Sequence, residues 1–104
     1  MYYHYIMPFS ISFNEEKNEL LKATRGIGFN EVIEHLKSGD LLADQDHPNQ
    51  NRSNQRIYVV KIGKYTYVVP YVINNQKQEI FLKTIYPSRT YTKLYIKGGG
   101  QDAK

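Results

Sequence analysis

The chain has no cysteine, no tryptophan and only four prolines in 104 residues. Without cysteine there is no disulfide framework, no thiol nucleophile and no zinc knuckle. No apolar stretch approaches the ~18 residues that cross a bilayer, so no membrane contact is expected. The opening Met1 to Ser10 has neither a basic start nor a long apolar stretch, and a cytoplasmic protein is the expectation. Phosphate-binding glycine loops, the dinucleotide glycine fingerprint and the Gly-x-Ser-x-Gly elbow are all missing. The three histidines, His4, His35 and His47, are scattered. The only neighbouring hard ligands are Asp44, Asp46 and His47, a trio that reads as a solvated turn, so neither a metal nor a cofactor is expected.

What remains is the composition of a single globular domain, with 40% of residues hydrophobic and 13% aromatic. Residues 1–97 are read as that domain, and residues 98–104, opening on Gly98-Gly99-Gly100, as a flexible tail. The net charge of +4 is unevenly spread. Residues 1–50 hold four basic and eight acidic side chains, whereas residues 51–104 hold ten basic, two acidic and seven of the ten tyrosines. Cations interleaved with rings suit a polyanion, because cations neutralise phosphates and rings stack on bases. A solvated basic face with tyrosine filling strands accounts for the same pattern.

Along the chain, Phe9, Ile11 and Phe13 alternate as one side of a strand. Asn14 is a good N-cap, and Glu15 and Glu16 place negative charge in a first helical turn; this helix runs to Arg25 and stops at Gly26. Gly28 caps a second helix, stapled by Ile27 and Val32, whose stripe of Phe29, Val32, Ile33 and Leu36 belongs to a core. Residues 40–55 are polar and rich in turn formers and read as a long loop. Arg56 to Ile62 and Tyr65 to Ile73 form a hairpin about Gly63-Lys64, with both faces of the return strand largely apolar. Pro70 removes a ladder donor and marks an irregular neighbour. A third strand is expected over Glu79 to Tyr86, with Ile80 and Leu82 on one face and Phe81, Lys83 and Ile85 on the other. Ser88 caps a short C-terminal helix. The fold class is therefore α+β: two N-terminal helices on a small antiparallel sheet, then a short helix.

Lys83, Tyr86, Arg89, Lys93 and Tyr95 are the densest chemical cluster. Cleaving RNA through its own 2′-hydroxyl requires that oxygen to lose a proton, the phosphorane charge to be neutralised and the leaving oxygen to gain a proton. Arginine and lysine meet the second need, and tyrosine or lysine the others when tuned. A break at Pro87 is expected to bring Arg89 and Tyr86 to a common surface. The alternative is that Tyr86 packs in the sheet and Arg89 anchors the helix.

Phe13-Asn14-Glu15-Glu16-Lys17-Asn18, followed by Arg25-Gly26-Ile27-Gly28-Phe29-Asn30-Glu31-Val32, resembles the opening of BrnT-type toxins of bacterial type II toxin-antitoxin systems. Arg56 to Gly63 is similar to that family's arginine-led strand, and Ile85-Tyr86-Pro87-Ser88-Arg89 to its last strand. The family's Trp-Asp is Phe13-Asn14 here, and its histidine before the glycine is Arg25. The resemblance implies a RelE-like fold and a metal-independent endoribonuclease that arrests growth by cleaving RNA. It also implies a ribbon-helix-helix antitoxin as partner, with DNA reached only through that antitoxin, and a homodimer or heterotetramer as the assembly. The matching positions make Arg89 the first phosphate-stabilising candidate, followed by Lys83 and Arg56, with Tyr86 stacking or assisting proton transfer. Lys17, Arg25, Lys61 and Lys93 are the further RNA-binding candidates. Two rivals remain at this stage: a non-catalytic RNA- or protein-binding module of the same fold, and an adaptor that self-associates through its tyrosine-rich hairpin or the aromatic Met1 to Pro8 segment.

Overall fold

Asn14 leaves the first strand in an extended conformation and its side-chain oxygen accepts from the Lys17 amide at 2.8 Å, starting helix α1 (Glu15–Arg25) at the end of β1 (Ser10–Phe13). A tight link leads into α2 (Phe29–Lys37). The link works because Asn18 of α1, 2% exposed, accepts from the Phe29 amide at 2.7 Å, satisfying a donor that the helix start would otherwise leave buried and unpaired. Gly28 fits there for lack of a side chain: a Cβ would lie 2.7 Å from both the Asn18 Oδ1 and a Lys22 side-chain carbon. Ile27 and Val32, 3% and 0% exposed, complete the staple. The computed structural model that gives this account describes residues 9–96, so the tail over 98–104 and the Met1 to Pro8 segment lie outside the described residues.

Five further strands and a third helix follow, in an α+β arrangement of three helices and one mixed sheet among the described residues. They are β2 (Leu41–Asp46), β3 (Arg56–Ile62), β4 (Tyr65–Asn74), β5 (Glu79–Leu82), the two-residue β6 (Tyr86–Pro87) and α3 (Arg89–Tyr95). The order across the sheet is β1-β5-β4-β3-β2, with β6 pairing β4 beyond the end of β5. The hairpin is as expected: β3 and β4 pair from Arg56↔Tyr71 to Ile62↔Tyr65, turning at Gly63 with φ 67°, where a β-carbon would be strained.

The sheet departs from the sequence expectation in three places. It is mixed, because β1 pairs with β5 in parallel; α1 and α2 form the crossover that carries the chain from one edge to the other. Residues 40–55 are not one loop: β2 forms the far edge, and only the remainder, with a 3₁₀ turn over Gln50–Arg52, is irregular. The strand was hidden by its polar residues, which the tertiary structure uses: Asp44 and Asp46 meet Arg56, and Gln45 donates to the Tyr91 hydroxyl at 2.9 Å. The expected strand over Glu79 to Tyr86 is split. Tyr71 faces Leu82 and Val68 faces Tyr86, so three steps along β4 are matched by four along its neighbour. The extra residue sits opposite Pro70, whose carbonyl accepts from the Lys83 amide at 2.8 Å. Pro70 has no N–H to hold a regular partner, and a one-residue bulge results.

The bulge decides which side chains face which layer. Ile85 joins Ile80 and Leu82 in the core beneath α1 and α2 instead of lying opposite them, and is 0% exposed. That core also holds Phe29, Val32, Leu36, Tyr58, Val60, Val69 and Tyr71. On the other face, Ile57, Val59 and Val68 are covered by Tyr86 and by Tyr91 of α3. Ser88 caps α3 through the Tyr91 amide at 3.0 Å, and the Thr92 hydroxyl accepts from the Thr66 amide at 2.8 Å, fixing the helix to β4.

Candidate nucleic-acid interface

In a regular strand Lys83 and Tyr86 would point to opposite faces. The bulge puts both on the α3 side of the sheet, two residue steps of β4 apart, or about 7 Å along the strand. Phe81 precedes them on the same face, and the Lys83 ammonium lies over its ring at 5.5 Å from the centroid. Tyr86 is half-buried; burial pushes its phenol above the ordinary value, the neighbouring Tyr91 adds to the shift, and the positive charge of Arg52 opposes it. Arg52 stands at the end of the 3₁₀ turn, exposed and close enough to be felt electrostatically by Tyr86. Sequence reasoning did not select it. Its one available signal was membership in the long polar segment between the edge strand and the hairpin.

Arg89 opens α3, three residues beyond Tyr86, and is exposed with no ion pair or side-chain hydrogen bond among the described residues. Lys93 lies on the same helix, also exposed, and Lys61 pairs with Thr66, the residue to which α3 is tied.

Arg56 is not on the strip of Phe81, Lys83 and Tyr86. It lies on the opposite face with Tyr71 and Asp44, where its Nη1 donates to Asp46 at 2.8 Å, its Nε to the Tyr71 hydroxyl at 3.1 Å and to Asp44 at 3.3 Å, and its Nη2 to the Asp44 carbonyl at 3.0 Å. The Tyr71 hydroxyl in turn donates to Asp44, and the Tyr71 ring stacks on Tyr58 at 4.0 Å. Two carboxylates neutralise the guanidinium, which makes this cluster an architectural clamp between β2, β3 and β4. Arg25 is also committed, donating to the Ile85 carbonyl and so fastening α1 to the bulge. His47 accepts from the Asn49 amide at 3.0 Å, while Asp44 and Asp46 serve Arg56. Among the described residues no group of three or more His, Asp or Glu side chains is placed to hold a metal ion.

Lys17 is brought to Lys83 from the other end of the chain. An open cleft of about 560 Å³ where α1 begins is lined by Asn14, Glu16, Lys17, Leu20, Phe81 and Lys83. Among the described residues no helix is long and apolar enough to cross a membrane. No family model, no curated protein and no solved structure matches the chain.

Proposed function

We propose that this protein is the toxin of a type II toxin-antitoxin pair, with a RelE/BrnT-like fold, and that it cleaves RNA by attack of the 2′-hydroxyl. The observation that carries the reading is the placement of the exposed Lys83 and the half-buried Tyr86 on the α3 side of the sheet by the bulge opposite Pro70, within electrostatic reach of Arg52. The family resemblance of the Lys17, Lys83 and Arg89 segments supports it.

In this mechanism the 2′-oxygen bonds to phosphorus and the bond from phosphorus to the 5′-oxygen breaks, leaving a 2′,3′-cyclic phosphate. Lys83 and Arg52 neutralise the charge that builds on the non-bridging oxygens. The Tyr86 phenol, protonated like any tyrosine in the neutral range, donates to the departing 5′-oxygen and regains a proton from solvent. The strip contains no histidine, so the 2′-hydroxyl proton passes to solvent and the reaction is slow. Arg89 holds a neighbouring phosphate. A ribbon-helix-helix antitoxin with acidic side chains covers the strip in the neutralised complex.

The missing histidine favours one rival, an RNA-binding module that does not cleave, and a single experiment separates the two. The purified protein is incubated with end-labelled single-stranded RNA in EDTA beside Lys83→Ala and Arg89→Ala. Lys83→Ala is expected to lower cleavage about 10²-fold while RNA affinity falls far less, with products ending in a cyclic phosphate. Binding without cleavage by the parent supports the rival, and absence of both defeats the two readings together.

A further inference from the structure

The cleft beside the strip has a composition of its own. Its walls carry two ammonium groups, Lys17 and Lys83, and one carboxylate, Glu16, yet none of the three forms an ion pair among the described residues. The nearby pair on α1 is Lys22 with Glu19, at 3.4 Å. Apolar surface is exposed in the same place: Leu20 is 54% accessible, and the Phe81 ring is only partly covered. Asn14 contributes no free acceptor toward α1, because its side-chain oxygen is held by the Lys17 amide. A ligand that suits these walls is anionic at one end, flat and apolar at its centre, and rich in N–H donors at its far edge. A nucleotide has that form: a phosphate for the ammoniums, a base for Leu20 and Phe81, and base N–H groups for the carboxylate.

The carboxylate selects among bases. Guanine presents two adjacent N–H donors on its Watson–Crick edge, which two oxygens of one carboxylate accept together, whereas uracil presents one donor flanked by carbonyls that a carboxylate repels. That edge is open only in unpaired RNA. The geometry points to a guanine-selective nucleotide subsite in this cleft, with Glu16 reading the base and Lys17 and Lys83 holding its phosphate. This rests on the reading of the neighbouring strip as an RNA site, since Lys83 borders both, and it makes the substrate a single strand with an unpaired guanine next to the reacting phosphate.

The test is a titration of the full-length, isotopically labelled protein with 5′-GMP and with 5′-UMP, followed by amide shifts of residues 14–20 and 81–83. GMP is expected to bind about tenfold more tightly than UMP, which corresponds to one two-bond base contact. Glu16→Gln should abolish the preference while keeping the fold, and Lys83→Ala should weaken both nucleotides. Inorganic phosphate should compete with both. Equal affinity for GMP and UMP, a preference that survives Glu16→Gln, or shifts away from these segments would each overturn the subsite. If RNA binds but is indifferent to guanine, the subsite falls and the strip reading stands. If GMP binds as expected while RNA does not, the strip reading falls and the subsite stands.

Discussion

Tyr71 carries more of the architecture than its place in a tyrosine-rich hairpin suggests. Its hydroxyl accepts from Arg56 and donates to Asp44, and its ring is 2% exposed against Tyr58. Burial first, then the hydrogen bond to Asp44, push its phenol above the usual range against the opposing pull of Arg56. An unfolded tyrosine ionises near ~10, so above that pH the unfolded chain gives up a proton that the native chain keeps, and stability falls as pH rises. Below that pH the contribution is fully present. Tyr71→Phe is therefore expected to lower stability at pH 7 by about 1–2 kcal/mol through the lost hydrogen bonds. Between about pH 10 and 12 the same variant should lose stability less steeply than the parent, by up to ~1.4 kcal/mol per pH unit, in urea unfolding followed by circular dichroism. The sequence places Arg56 among cations available to RNA; the carboxylates that occupy it come from β2, a strand that polar residues concealed.

At the scale of elements, the bulge at Lys83 and Thr84 is the feature on which the candidate site depends. Removing one residue there restores equal steps on the two strands and leaves Ile85 inward and Tyr86 outward. Deletion of Thr84 is thus expected to give a folded protein whose thermal midpoint drops by no more than about 4–8 °C, equivalent to ~1 kcal/mol in a domain of this size. Were the strand regular from Leu82 onward, Ile85 would face away from the core and Tyr86 into it, and the same deletion would exchange the two faces instead of preserving them. The helices were legible because their boundaries are written locally: Asn14, Glu15 and Glu16 at one start, Ile27, Gly28 and Val32 at the other. The hairpin was legible for the same reason, through Gly63. The edge strand β2 was not, because an edge residue needs a partner only on one side and its side chains serve distant elements.

For the whole molecule, the separation of charge predicted from composition resolves into two kinds of cation. Arg56 and Arg25 are tied to carboxylates or a carbonyl, whereas Lys17, Lys83, Arg52 and Arg89 have no such partners among the described residues. Each contact with a single-stranded phosphate lowers the slope of log affinity against log salt by about 0.7. Four such contacts give a slope near about −3, and alanine at any one of the four should make it shallower by about 0.7. Arg56→Ala should leave the slope unchanged, since its charge is already neutralised. Fluorescence anisotropy with a labelled RNA across a salt series reads both outcomes.

The sequence by itself determined the α+β class, the two capped helices, the stapled link between them, the hairpin and the basic, tyrosine-rich character of the second half. Those are properties of neighbours in the chain: caps, staples, turn residues and alternation act over a few positions. Only the tertiary structure decided that β1 lies parallel to β5, that β2 closes the far edge, that Arg56 is a clamp, and that Lys17 meets Lys83. Each depends on segments far apart in sequence, and the one-residue bulge that aligns Lys83 with Tyr86 exists because Pro70, on another strand, has no N–H to give.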